Sequence, residues 1–167
     1  MKLKYFIITL ALLLSLFVYL FYRTEQTVVN WMAIQIVGWE PFHQIRTWVN
    51  DRVILSGFQM YSLPEALWIL SITLLSKRYV IRFNEKEVPL WFLPIMMAFG
   101  FEFFQWMQWS PGHADFNDLW GAMLFWALGM LVFPEKEPKI SLFHSFNIHA
   151  ILCTGTYAVV YLAHVMN

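Results

Sequence analysis

The sequence predicts an all-α, polytopic transmembrane helix bundle, on three observations. Its 167 residues are 59% hydrophobic and 13% charged, against about 25% charged in an average soluble domain. The apolar residues gather in five runs, each near the ~20 residues that a helix needs to cross ~30 Å of hydrocarbon. Nine Trp and sixteen Phe would leave a small soluble domain with large exposed apolar patches, which a bilayer covers. Residues 1–167 read as a single transmembrane domain.

The first predicted span is 3–22. Lys2 and Lys4 precede it as they would a signal peptide, but the run Tyr5–Tyr22 has 18 residues and no small-residue cleavage pattern follows. Signal cores are shorter, about 7–15 residues, so this reads as a retained helix. The second span is 63–81. Ser62 and Glu65 have the spacing of a capping box, with Pro64 in the first turn, where its missing N–H does no harm. The third span is 88–109, the fourth 116–133 and the fifth 146–165. Asp115 precedes the fourth as its N-cap, with Asp118 at the third helical position.

Residues 23–60 form the long connection between spans one and two. Ile45, Trp48, Val49 and Val53 recur at helical spacing, with His43, Gln44, Arg46, Thr47, Asn50 and Asp51 on the other side. This predicts an amphipathic helix lying in the membrane interface, either as a lid or as a surface anchor. Ser56-Gly57 reads as its stop.

Lys and Arg set the orientation. With the N-terminus cytoplasmic, eight basic residues fall inside (Lys2, Lys4, Lys77, Arg78, Arg82, Lys86, Lys136, Lys139) and three outside (Arg23, Arg46, Arg52). The excess inside predicts a cell-membrane, multi-pass protein with an external C-terminus. The net charge is zero, which leaves no basic footprint for nucleic acid. The single Cys153 allows no internal disulfide and reads as a buried, inert thiol.

The segment from Gly100 to Gly129 concentrates the polar chemistry. An ionisable side chain at membrane depth is costly and marks a functional site by default. Glu102 lies seven residues before Trp109, which sets it about 10 Å beneath the end of the third span at ~1.5 Å per residue. Glu65 and Asp118, each three residues past a cap, would lie about 5 Å deep on the same scale. All three then fall in the outer third of the membrane, where inward-facing carboxylates can meet. Gln105 shares the face of Glu102. Asp118, Ala122 and Gly129 share a face whose small residues favour close helix packing.

Carboxylates in one low-dielectric site cannot all ionise cheaply, so a proton or a cation must offset them. His113 on the loop offers positive charge below about pH 6.5. The ligand-binding set is therefore Glu65, Glu102, Gln105, His113, Asp115 and Asp118. Simpler roles compete: Asp115 as a cap, Asp118 and Glu65 at helix starts, and Glu102 as a protonated carboxyl bonded to another helix.

On the fifth span His149, Cys153, Thr156 and His164 share an arc, with Tyr157 at its edge. The two His residues are about 22 Å apart along a helix, too far to share a metal, and read as packing contacts. His144 reads as interfacial. No zinc motif, phosphate loop or nucleophile elbow is present, so no cofactor is expected.

At the acid-bearing residues the chain resembles the VanZ-like family of small integral membrane proteins. Glu102 and Gln105 match its Glu and Gln on one helix, Pro111 and Gly112 its turn, and Asp115 and Asp118 its paired acids. Gly129 resembles a later helix glycine, and Tyr61-Ser62-Leu63-Pro64 is similar to other small membrane proteins. The loop Arg of the pattern is His113 here, and the Asn one turn after the second Asp is Ala122. The resemblance implies a cell-envelope protein, in a group with some members associated with glycopeptide antibiotic resistance.

The leading functional expectation is a non-enzymatic membrane protein with an outward-facing carboxylate pocket for a lipid-linked or cationic envelope ligand. A proton- or cation-coupled small carrier is the alternative, for which a homo-oligomer would supply the missing internal repeat. A structural subunit with a membrane protein partner, and a membrane enzyme using the acids with a divalent ion, are the further readings.

Overall fold

A computed structural model describes residues 2–25, 27–83, 86–109, 113–132, 138–142 and 148–165. Among them the fold is mostly helical, with one small sheet. In chain order the elements are α1 (Lys2–Tyr22), α2 (Val28–Val37), α3 (Trp39–Asn50), α4 (Gly57–Ser76), β1 (Tyr79–Phe83) and β2 (Lys86–Pro89). A 3-10 turn (Leu90–Phe92), α5 (Leu93–Trp106), α6 (Phe116–Val132), β3 (Ile140–Ser141) and α7 (Ile148–Val165) follow.

Helix α4 is central, packed mainly against α6 on one side and α1 on the other. Small residues make the α4–α6 seam. A Cβ added at Gly121 would stand 3.4 Å from Ala66 Cβ, and one at Gly129 would stand 3.1 Å from Thr73 Cγ2. Ala122, buried between them, joins Ile69, Ile95 and Ala98 in a core that Trp126 covers. A second core lies at the sheet end, where Tyr79, Leu90, Ala150 and Cys153 meet. There Ser76 Oγ shares a hydrogen bond with Tyr157 Oη at 2.8 Å and lies 3.7 Å from Cys153 Sγ.

The sheet is the first departure from the all-α expectation. β1 pairs antiparallel with β2 and parallel with β3. Predicted spans two and three therefore lose their facing ends to a hairpin. The cause is local: β-branched and aromatic residues run from Tyr79 to Phe83, and Arg82 opposes Glu87 across the ladder with Nη2 and Oε1 2.7 Å apart.

Helix α4 starts six residues before the second predicted span. Its cap is Ser56, whose Oγ accepts from the Gln59 N–H while the Gln59 side chain accepts from the Ser56 N–H. Ser56-Gly57 thus begins α4 and does not stop the preceding helix, and Ser62 and Glu65 lie mid-helix. Pro64 is also interior, and the Ser15 hydroxyl of α1 donates to its carbonyl at 3.2 Å.

The third predicted span shortens too. Helix α5 ends at Trp106 in a Schellman motif. Gln108 takes φ +59°, its N–H donates to Gln105 O at 3.0 Å, and the Trp109 N–H donates to Phe104 O at 2.8 Å. The Phe104 and Trp109 rings stack across this turn at 6.0 Å.

The long connection holds two helices. Gly38 (φ +92°) separates α2 from α3, and both tie to the end of α1. Arg46 Nη2 donates to Arg23 O, Asn30 Nδ2 donates to Thr24 O at 2.8 Å, and Glu25 lies 3.7 Å from both His43 and Arg46. Of the predicted apolar face, Val49 is buried while Ile45, Trp48 and Val53 are exposed; Val53 lies beyond α3.

The helices alternate in direction. The C-terminal end of α1, the first half of α4, the C-terminal end of α5 and the start of α6 converge at one end, through Arg23, Glu65, Glu102 and Asp118. At the other end Lys77 Nζ, the first residue beyond α4, donates to Gly129 O at 2.9 Å and Met130 O at 2.8 Å. It thereby satisfies carbonyls that α6 leaves open at its C-terminus. One described helix stretch, Leu3–Tyr22, is long and apolar enough to cross a membrane; Val28–Val37, Leu90–Trp106 and Phe116–Val132 are shorter apolar helices. α4 has the length, but Ser62, Glu65, Ser71, Thr73 and Ser76 dilute its apolarity.

Candidate functional site: a three-carboxylate cluster

Glu65, Glu102 and Asp118 each offer a carboxylate oxygen, and these atoms all lie within 4.8 Å of one another. The three come from α4, α5 and α6, so the cluster exists only in the folded bundle. The α4–α6 seam of Gly121 and Ala66 brings Asp118 beside α4. The Schellman end of α5 and the start of α6 bring Glu102 beside Asp118.

Their depths differ from the expected ones. Asp118 is in the first turn of α6 and Glu102 is one turn, about 6 Å, from the end of α5. Glu65 lies about 12 Å inside α4, because that helix begins at Gly57. Staggered helix ends, rather than equal depths, align the three acids.

Glu102 is 5% exposed. Its Oε2 accepts the Asp115 backbone N–H at 2.8 Å, and Asp115 Oδ1 accepts the Asn117 N–H at 2.8 Å. Asp115 therefore caps α6 as its position predicts, and Glu102 reaches across from α5 to hold the cap's own amide. Within α6 a capping box would assign that role to the third residue, but this is Asp118, whose carboxylate joins the cluster instead.

The other expected ligand residues lie outside the cluster. Asp115 is an exposed cap, His113 is exposed and Gln105 is half-buried. The turn residues Pro111 and Gly112 lie outside the described residues, as do His144 and the side chains of His149 and His164.

Arg23, which is not among the expected ligand residues, is the cation among the described residues that acts on Glu65. It acts electrostatically on Glu65, together with the charges of Asp118 and Glu102. Its guanidinium carbon lies 5.4 Å from the ring centres of Tyr19 and Tyr61, within cation–π range. Tyr19 in turn couples to Arg23, Glu65 and Asp118. The signal was present: Arg23 directly follows α1, whose C-terminal end lies at the same end of the bundle as the acids.

Three carboxylates beside one guanidinium leave an excess of negative charge when all are ionised. Protons or a further cation must balance it in a medium that screens poorly. Hard oxygens from three helices suit a proton, a metal ion or an ammonium group; Glu65, Glu102 and Asp118 are the residues that could hold a metal.

A cavity of about 350 Å³ adjoins the cluster between α5 and α6. Glu102 and Asp115 line it along with Phe99, Phe103, Trp106 and Phe116.

No family model, curated protein or solved structure matches this chain.

Proposed function

We propose that this chain is a multi-pass, VanZ-like protein of the cell envelope, whose carboxylates form an outward-facing pocket for a cationic or lipid-linked envelope ligand. The carrying observation is the convergence of Glu65, Glu102 and Asp118 from three helices to within 4.8 Å. Nothing about helix packing requires three acids to meet; a site that takes positive charge does.

The membrane assignment draws on α1, α4, Leu90–Trp106, α6 and α7 as five antiparallel crossings, roughly 25–31 Å long at ~1.5 Å per residue. Large side chains such as Phe6, Leu13, Trp120, Leu124 and Leu131 are exposed, which suits lipid contact. Lys77, Arg78, Arg82, Lys86 and Lys139 lie at or beside the sheet, opposite the acids. The positive-inside rule makes the sheet end cytoplasmic and the carboxylate end external. On this orientation α2 and α3 rest at the outer interface, with Trp31, Trp39 and Trp48 exposed.

Reporter fusions should place the sheet hairpin inside and residue 113 and the C-terminus outside. Protein purified in mild detergent should carry an envelope lipid or cationic compound that native mass spectrometry detects. Glu102→Gln, inserted at normal levels, should lose it. The same bound species at the same occupancy in both proteins would remove the pocket reading.

A further inference from the structure

The cavity beside the cluster combines two chemistries. Phe99, Phe103, Trp106 and Phe116 present aromatic rings, while Glu102 and Asp115 present carboxyl groups. Among the described residues no Lys or Arg lines it. Its volume of about 350 Å³ falls at the small end of organic-ligand pockets, which run from about 300 Å³.

Each simpler occupant leaves part of this wall unexplained. A divalent ion seeks six or more oxygens and makes no use of four rings. A neutral apolar molecule would take water from the carboxylates and return nothing. An anion would face two acids, and the α6 amides that attract anions already donate in part to carboxylates, the Asn117 N–H to Asp115 and the Asp115 N–H to Glu102. A substituted ammonium group meets both chemistries. Its charge faces the carboxylates, and its alkyl substituents pack on ring faces that attract cations within ~6 Å.

We propose that this cavity binds a substituted ammonium group, held by the rings of Phe103 and Trp106 and by the carboxylate of Glu102. The inference rests on the carboxylate-pocket reading and narrows its ligand to organic cations. The group could belong to a free compound or to a lipid headgroup, since both present the same trimethylammonium chemistry.

The test is isothermal titration of the full chain in maltoside micelles with choline and with its uncharged isostere, 3,3-dimethylbutan-1-ol. Choline should bind saturably, and the alcohol at least about tenfold more weakly. Phe103→Leu and Trp106→Leu remove ring faces at exposed positions and should each weaken choline by about three- to thirtyfold. Glu102→Gln should weaken it about tenfold or more. In phosphatidylcholine nanodiscs, weaker apparent choline binding would assign the group to a lipid headgroup, and unchanged binding to a free compound. Equal binding of the alcohol, indifference to both ring variants, or no saturable choline binding overturns the proposal. If choline fails while Glu102→Gln still strips the co-purifying species, only the ammonium inference falls; if neither responds, the pocket reading falls with it.

Discussion

The Glu102 carboxylate accepts the backbone N–H of Asp115 at 2.8 Å. One acid of the cluster thus also fastens the end of α5 to the start of α6. Removing the acceptor leaves a part-buried amide without it, a loss of about 1–3 kcal/mol. Glu102→Ala should therefore lower stability by that amount, while Glu102→Gln, which keeps an acceptor oxygen, should lose clearly less. Thermal unfolding in maltoside separates the two. Equal losses would mean that the bond does not hold this junction.

The α4–α6 seam should be sensitive to single methyl groups. A Cβ at Gly129 meets Thr73 Cγ2 at 3.1 Å, whereas one at Gly100 meets nothing within 4 Å. Gly129→Ala should cost about 1–3 kcal/mol by overpacking, and Thr73→Ser, which removes that methyl, should recover part of the loss in the double variant. Gly100→Ala should be neutral or stabilising by up to about 1 kcal/mol, as a helix-interior glycine replacement. Melting temperatures of the four proteins give the comparison.

Gln108 occupies the left-handed position that closes α5, with φ +59°. Helices more often place Gly there, because a side chain costs roughly 1–2 kcal/mol in that conformation. Gln108→Gly should therefore raise stability by about 1 kcal/mol. A lower melting temperature would argue that α5 does not end in this motif.

Lys77 is buried, and its ammonium donates to Gly129 O and Met130 O. Lys77→Met keeps the apolar stem and removes the charged donor, so it should destabilise by about 1.5–3 kcal/mol. Chemical denaturation in detergent would register the change. An unaltered midpoint would show that the α6 carbonyls find equivalent partners.

Hydropathy located the apolar helices because an apolar run is recognisable without its packing partner. α1 and α6 fall within a residue or two of their predicted bounds, and Asp115 caps α6 as its position suggests. The boundaries of α4 and α5 were harder to read. Ser62-x-x-Glu65 and Ser56-x-x-Gln59 both have capping spacing, and only the chain path between α3 and α4 chose the second. The hairpin was hidden because Tyr79–Ile81 and Val88–Pro89 are as apolar as the helices they adjoin.

The sequence alone determined the helical class, the apolar character, the placement of Glu102 and Asp118 near helix ends and the segregation of Lys and Arg, all of which are properties of single segments. The tertiary structure decided which acids meet, that Arg23 and Tyr19 stand beside them, and that four rings frame a cavity against Glu102. Those relations join residues from separate helices. They depend on how far one helix end is staggered past the next, and that stagger is set by packing at Gly121 and Gly129, which no local pattern encodes.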